Sequence, residues 1–131
     1  MKREITCPLS LKTNVFILFF VLIKLIFKRG RRKMSKLERD FQSNLIKEIK
    51  EYFSGSIVMK TDPTYIQGLP DLLILFRDKW AALEVKRTST AHKQPNQEYY
   101  VNKMNSMSFA RFISPDNKDS VLKDLGDYFY L

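Results

Sequence analysis

Only one cysteine, Cys7, and one histidine, His92, occur in the 131 residues. A lone thiol excludes an internal disulfide framework. The two residues together exclude zinc sites built from several Cys and His ligands. One imidazole is left for acid–base work, and its place in the polar stretch Arg87 to Lys93 reads as a loop. Internal repeats are absent, and so is any low-complexity tract beyond one basic string. A long apolar run is also missing. Val15 to Phe27 is almost wholly apolar, but it spans thirteen residues and Lys24 interrupts it. A membrane-spanning helix needs about 20.

Positive charge is abundant but unevenly placed. The net charge is +9; residues 1–33 hold nine Lys and Arg and one acid, for +8, and residues 34–131 hold fourteen basic and thirteen acidic residues, for +1. The basic composition therefore says little about nucleic-acid binding by the later part. Residues 1–33 read as lying outside the domain. The string Lys28-Arg29-Gly30-Arg31-Arg32-Lys33 follows the apolar run where a secretory cleavage site would have small residues. Lys, Arg and Gly have purine-rich codons, so this string matches a ribosome-binding site read as protein, with the start at Met34. A basic-flanked membrane anchor is the alternative. The domain is read as residues 34–131, of a length that suits one core.

The stretch Gln67 to Lys86 organises that domain. Two apolar runs, Leu72 to Phe76 and Trp80 to Val85, flank the polar tip Arg77-Asp78-Lys79. Such runs read as two strands of a hairpin, buried on both faces or nearly so. Asp71 opens the first strand after Gly68-Leu69-Pro70, and Glu84 and Lys86 close the second. Strand side chains alternate, so Glu84 and Lys86 share a face. Folding about Asp78 sets Asp71 opposite position 85, within one step of Glu84 and of Lys86. Two carboxylates and an ammonium then converge at the open end of the hairpin. Hard divalent cations such as Mg²⁺ take carboxylate oxygens, few protein ligands and retained waters. A lysine beside such an ion can orient the attacking water. A salt-bridged polar strand end is the purely structural alternative.

Pro70-Asp71, twelve intervening residues, then Glu84-Val85-Lys86 resembles the PD-(D/E)XK nuclease signature. With Gly68 before it and Gln97 after it, the string is similar to the VRR-NUC branch, the virus-type replication-repair nucleases. The likeness spans roughly Lys36 to Leu125 and extends to small phage-type endonucleases of the Holliday junction resolvase kind. It implies metal-dependent hydrolysis of DNA phosphodiesters. Asp71 and Glu84 would hold Mg²⁺ or Mn²⁺, and Lys86 would be the catalytic lysine.

The flanking elements fit an α/β, restriction-endonuclease-like fold, a mixed sheet flanked by helices in the order α-β-β-β-α-β-α. Leu37, Phe41, Leu45, Ile49 and Phe53 recur every four residues and mark an amphipathic helix. Ser35-Lys36-Leu37-Glu38 fits a capping box. The resemblance implies a further metal ligand in this helix, and Glu38 lies on its inward edge, so cap and ligand compete as its role. Ser56 to Lys60 reads as a strand, and Thr61 to Gln67 as a loop with Asp62-Pro63 as a turn. Lys60 and Tyr65 lie near enough to the hairpin to touch phosphate, though a solvated lysine and a packed tyrosine are the simpler expectation. Pro95 opens a helix with Tyr100, Val101 and Met104 on its apolar face and Gln97 beside them. In the resembled family a Gln here lies beside the catalytic residues, so Gln97 would hold Lys86 or a phosphate, with Gln94 as its rival. Phe109 to Ile113 is a strand. Ser114-Pro115 reads as N-cap and first turn of a last helix through Leu125.

The leading expectation is a metal-dependent DNA endonuclease, selective for branched replication, recombination or repair DNA, with a homodimer as a candidate assembly. Lys60, Arg87, Lys93 and Gln94 are its candidate DNA contacts. It belongs to the cytoplasm of a bacterial or phage-infected cell, with membrane association only if residues 1–33 are an anchor. The alternatives are a non-catalytic DNA-binding or assembly protein of the same fold and a small membrane-anchored protein.

Overall fold

The computed structural model describes residues 34–131. Both readings of residues 1–33, misplaced start and anchor, fall outside the described residues. Helix α1 (Lys36–Tyr52) is followed by β1 (Ile57–Lys60), β2 (Leu72–Phe76) and β3 (Lys79–Val85). Helix α2 (Pro95–Met107), β4 (Phe109–Ile113) and α3 (Lys118–Tyr130) complete the unit. The expected order α-β-β-β-α-β-α is the one observed. The four strands form one sheet in the order β1-β2-β3-β4. The first two pairings are antiparallel, and β3 pairs with β4 in parallel, with α2 as the crossover.

One face of the sheet carries the main core. Leu72, Ile74 and Phe76 of β2, with Ala81, Leu83 and Val85 of β3, pack under Leu45, Ile49 and Phe53 of the α1 segment and Val121, Leu125 and Phe129 of α3. Each fully buried Leu or Ile contributes on the order of 1.5–3 kcal/mol. The other face is covered by α2, where Val101 and Met104 meet Trp80, Ala82, Ala110 and Phe112. This second layer stops short of β1 and the outer part of β2. Ile57 and Met59 are exposed and Leu75 is at the margin, so only β3 is buried on both faces, not the whole hairpin as expected.

The face of α1 departs from its every-fourth-residue pattern. Leu37 is 67% exposed, while Glu38 and Gln42 are each 4% exposed. A helix turns about 100° per residue. Leu37 is therefore about 80° from Leu45 around the axis, and Glu38 only about 20°. The start of α3 is later than Ser114-Pro115 suggested. The Asn117 side chain accepts from the Ser114 N–H at 2.8 Å, and the Asp116 carboxylate accepts from the N–H and hydroxyl of Ser89. These bonds hold residues 115–117 as a turn, and the helix begins at Lys118. Among the described residues no helix is long and apolar enough to cross a membrane.

Candidate active site

The hairpin register brings the polar strand ends together. Leu72 pairs with Leu83 and Phe76 with Lys79, so Asp71, one step further out, comes opposite Glu84. The turn is Arg77-Asp78, with Arg77 at φ 56° and its guanidinium over the rings of Phe76 and Tyr130. Lys79 joins the strand. Pairing continues past the strand ends on both sides: the Thr61 N–H donates to Asp71 O at 2.9 Å, and the Lys86 N–H to Ile113 O at 2.8 Å. Asp71, Glu84 and Lys86 are thereby held by backbone ladders.

Side-chain bonds then lock the group. The Val85 N–H donates to Oδ2 of Asp71 at 2.9 Å. Gln97, from the first turn of α2, donates through Nε2 to Oε1 of Glu84 at 2.5 Å. Its Oε1 accepts from Nζ of Lys86 at 2.5 Å and from the Gln94 N–H at 3.1 Å. Lys86 lies 3.4 Å from the same Glu84 oxygen, which closes a triangle. The Lys86 ammonium, which only donates, fixes the amide with its Oε1 toward Lys86. Glu84 and Lys86 are each 2% exposed.

The loop before Asp71 is fitted to the helix that carries Gln97. Gly68 has φ 90°, and a Cβ there would lie 2.6 Å from the Cβ of Asn96 and 2.8 Å from its carbonyl carbon. Only glycine permits both the backbone angle and the approach. Thr61 adds a hydroxyl bond to Pro70 O at 2.6 Å.

Burial dominates the electrostatics. It pushes the carboxyl of Glu84 up from its ordinary 4.5 to about 8, with the charge of Asp71 adding to the rise and Lys86 opposing it. Asp71 is also raised, by burial first, against the Val85 N–H and Lys86, with Glu38 adding to the rise. Glu38 therefore lies within electrostatic reach of Asp71. It comes from the helix on the main-core face, whereas Gln97 comes from the opposite layer, so the site sits where both layers meet the sheet end.

Glu38 also completes the capping box: its Oε2 accepts from the Ser35 N–H at 3.0 Å, and its own N–H donates to Oγ of Ser35 at 3.2 Å. Among the described residues no three His, Cys, Asp or Glu side chains gather as a complete metal site. Mg²⁺ is commonly bound by one or two carboxylates and keeps several waters. Glu84, buried, and Asp71, partly buried, are each disfavoured as anions by desolvation first and by a neighbouring carboxylate, Asp71 for Glu84 and Glu38 for Asp71; this fits that chemistry, because a cation relieves both costs.

A solved VRR_NUC domain superposes on this chain with a TM-score of 0.51 and 23% identity, over 68% of this chain and 97% of that one. The fold is that of a VRR_NUC domain. No family model matches the sequence, and no curated protein does.

On this VRR_NUC fold the other singled-out residues differ in how they stand to the triangle. Lys60 ends β1 and is exposed, as is Arg87. Lys93 rests over the Phe112 ring at 4.4 Å. Gln94 takes part through its backbone N–H. His92 is exposed in its loop. Asp62 is a turn residue, accepting from the N–H and hydroxyl of Thr64. Tyr65 is 86% exposed rather than packed. Gln42 escaped the sequence reading. Its signal was its place three before Leu45 and seven before Ile49, on the buried face.

Proposed function

We propose that this chain is a metal-dependent DNA endonuclease. The observation that carries the reading is the buried Glu84–Gln97–Lys86 triangle beside Asp71, on a VRR_NUC fold. Asp71 and Glu84 would hold Mg²⁺ or Mn²⁺, with Glu38 as a further ligand. Such an ion supplies Lewis-acid polarisation of the phosphate and a more acidic water. Lys86, fixed by Gln97, presents its ammonium to the attacking water and orients it toward phosphorus. Gln97 keeps Lys86 and Glu84 in register by bonding to both. The Val85 N–H holds the Asp71 carboxylate in place through Oδ2.

The substrate is proposed to be branched DNA. Reading a base sequence takes several side chains aimed at groove edges, and the three helices of the described unit are engaged in covering the sheet. A charge of +1 over residues 34–131 gives little unspecific attraction to plain duplex. Lys60, Arg87, Lys93 and Gln94 would contact the backbone, and a homodimer would cut two strands. The test is cleavage of a four-way junction, a flap and a linear duplex of matched length, with and without Mg²⁺. Preference for a branched form supports the reading; preference for one short linear sequence, indifferent to branching, contradicts it.

A further inference from the structure

Lys93 stands beside the triangle by both its backbone and its side chain. The next residue, Gln94, donates its N–H to Oε1 of Gln97 at 3.1 Å, the oxygen that also accepts from Lys86. Earlier in the same loop, Ser89 is fastened to the Asp116 carboxylate through its N–H and its hydroxyl. The Lys93 ammonium lies 4.4 Å from the centre of the Phe112 ring, and the Lys86 ammonium lies 5.9 Å from the same centre. Phe112 is the partner of Glu84 in the parallel β3–β4 pairing, so its ring shares the face that carries Glu84 and Lys86. Two ammoniums thus stand by one ring. Lys86 is buried and committed to Gln97 and Glu84. Lys93 is half-buried, and among the described residues no carboxylate lies within ion-pair distance of it. An aromatic face attracts a cation but does not neutralise it.

We propose that Lys93 binds the backbone phosphate adjoining the scissile one and so sets the register of the cut strand. A DNA strand presents a row of phosphate anions. With the scissile phosphate at the triangle, the next anion in the row meets the second ammonium, which has none of its own. The contact is to phosphate alone, so it positions DNA without reading its sequence. This rests on the nuclease reading above and narrows one of its backbone contacts to a single phosphate.

The experiment uses the full chain and a fluorescent four-way junction. The cut is mapped in Mg²⁺, and binding is then titrated in EDTA over a range of salt. Lys93→Met keeps an apolar stem over Phe112 without the charge, Lys93→Gln is read in the same way, and Lys93→Arg keeps the charge. The expected result for Lys93→Met is affinity weaker by about tenfold. Its slope of log affinity on log salt should be shallower by about 0.9, the value of one phosphate contact. Lys93→Arg should stay near wild type. Of the two phosphates beside the cut, replacing one by an uncharged methylphosphonate should weaken wild type by the same factor and leave Lys93→Met unaffected. An unchanged salt slope in Lys93→Met, or equal sensitivity of wild type and Lys93→Met at both phosphates, overturns the assignment and leaves the nuclease reading standing. Lower melting of Lys93→Met with wild-type affinity shows a structural lysine and overturns it as well. A wild type that binds no junction in EDTA overturns this proposal, and if no DNA is cut in Mg²⁺ the nuclease reading falls with it.

Discussion

The backbone N–H of Val85 donates to the carboxylate of Asp71 at 2.9 Å across the open end of the hairpin. The residue that opens one strand is thus fixed by the backbone of the other, so the spacing of Asp71 from Glu84 is set by register and not by side-chain choice. A partly buried carboxylate held in this way has little freedom to turn from its neighbours' charge. A proton or a cation relieves that charge.

Lys86 and Gln97 should separate in their effects. Lys86→Ala should lower the rate of the chemical step by about 10²–10⁴-fold while leaving Mn²⁺ affinity within a few-fold. Gln97→Ala should reduce activity by about 10–100-fold without abolishing it, since Lys86 keeps its direct ion pair with Glu84 at 3.4 Å. Single-turnover cleavage beside a Mn²⁺ titration checks both. Equal loss of metal binding in Lys86→Ala would count against its role at the water.

Metal-free stability should fall with pH through the Glu84 titration. The folded pKa, about 8, lies above the ordinary 4.5, so the folded chain holds the proton more tightly than the unfolded one. The Glu84 contribution is complete below about pH 4.5 and is lost as pH rises through about 8. Glu84→Gln cannot ionise and should lack this decline, becoming the more stable of the two at alkaline pH in EDTA. Melting curves of both proteins across this window decide it, and parallel curves would refute the burial argument.

Gly68→Ala should destabilise by about 1–3 kcal/mol, because a side chain at φ 90° also meets the backbone of Asn96. Activity should fall with it, since the loop that carries Asp71 would part from the helix that carries Gln97. Chemical denaturation measures the first effect. A neutral substitution would show that the loop and helix are not coupled.

A chain beginning at Met34 should fold and cleave as the full chain does, since Met34 to Leu131 form a compact unit and, among the described residues, assemble a core from α1 to α3. Circular dichroism and cleavage of the same DNA compare the two. An unfolded short chain would return residues 1–33 to the domain.

Much of this arrangement was legible in the residues. The bounds of β2 and β4 follow from apolar runs closed by turn residues, and Pro95 marks the start of α2. Placing Asp71 within one step of Glu84 required only period-two alternation and a turn position. What escaped depends on distant partners. Leu37 looked apolar enough for the core, but the helix angle gives its place to Glu38. The turn at 115–117 holds because Ser89 bonds to Asp116, a residue 27 positions away. Tyr65 is exposed, and the burial of a loop residue depends on distant neighbours that local sequence does not record. Gln42 was passed over because a polar residue at a buried position is informative only once its surroundings are known.

The most direct test is cleavage of a four-way DNA junction by wild type and Glu84→Gln, each in Mg²⁺ and in EDTA. Wild type should cut in Mg²⁺ and not in EDTA, and Glu84→Gln should fall to background in both, because Gln keeps the size of Glu but not the charge a hard cation requires. Full activity in EDTA, or in Glu84→Gln, would contradict a metal held at Asp71 and Glu84.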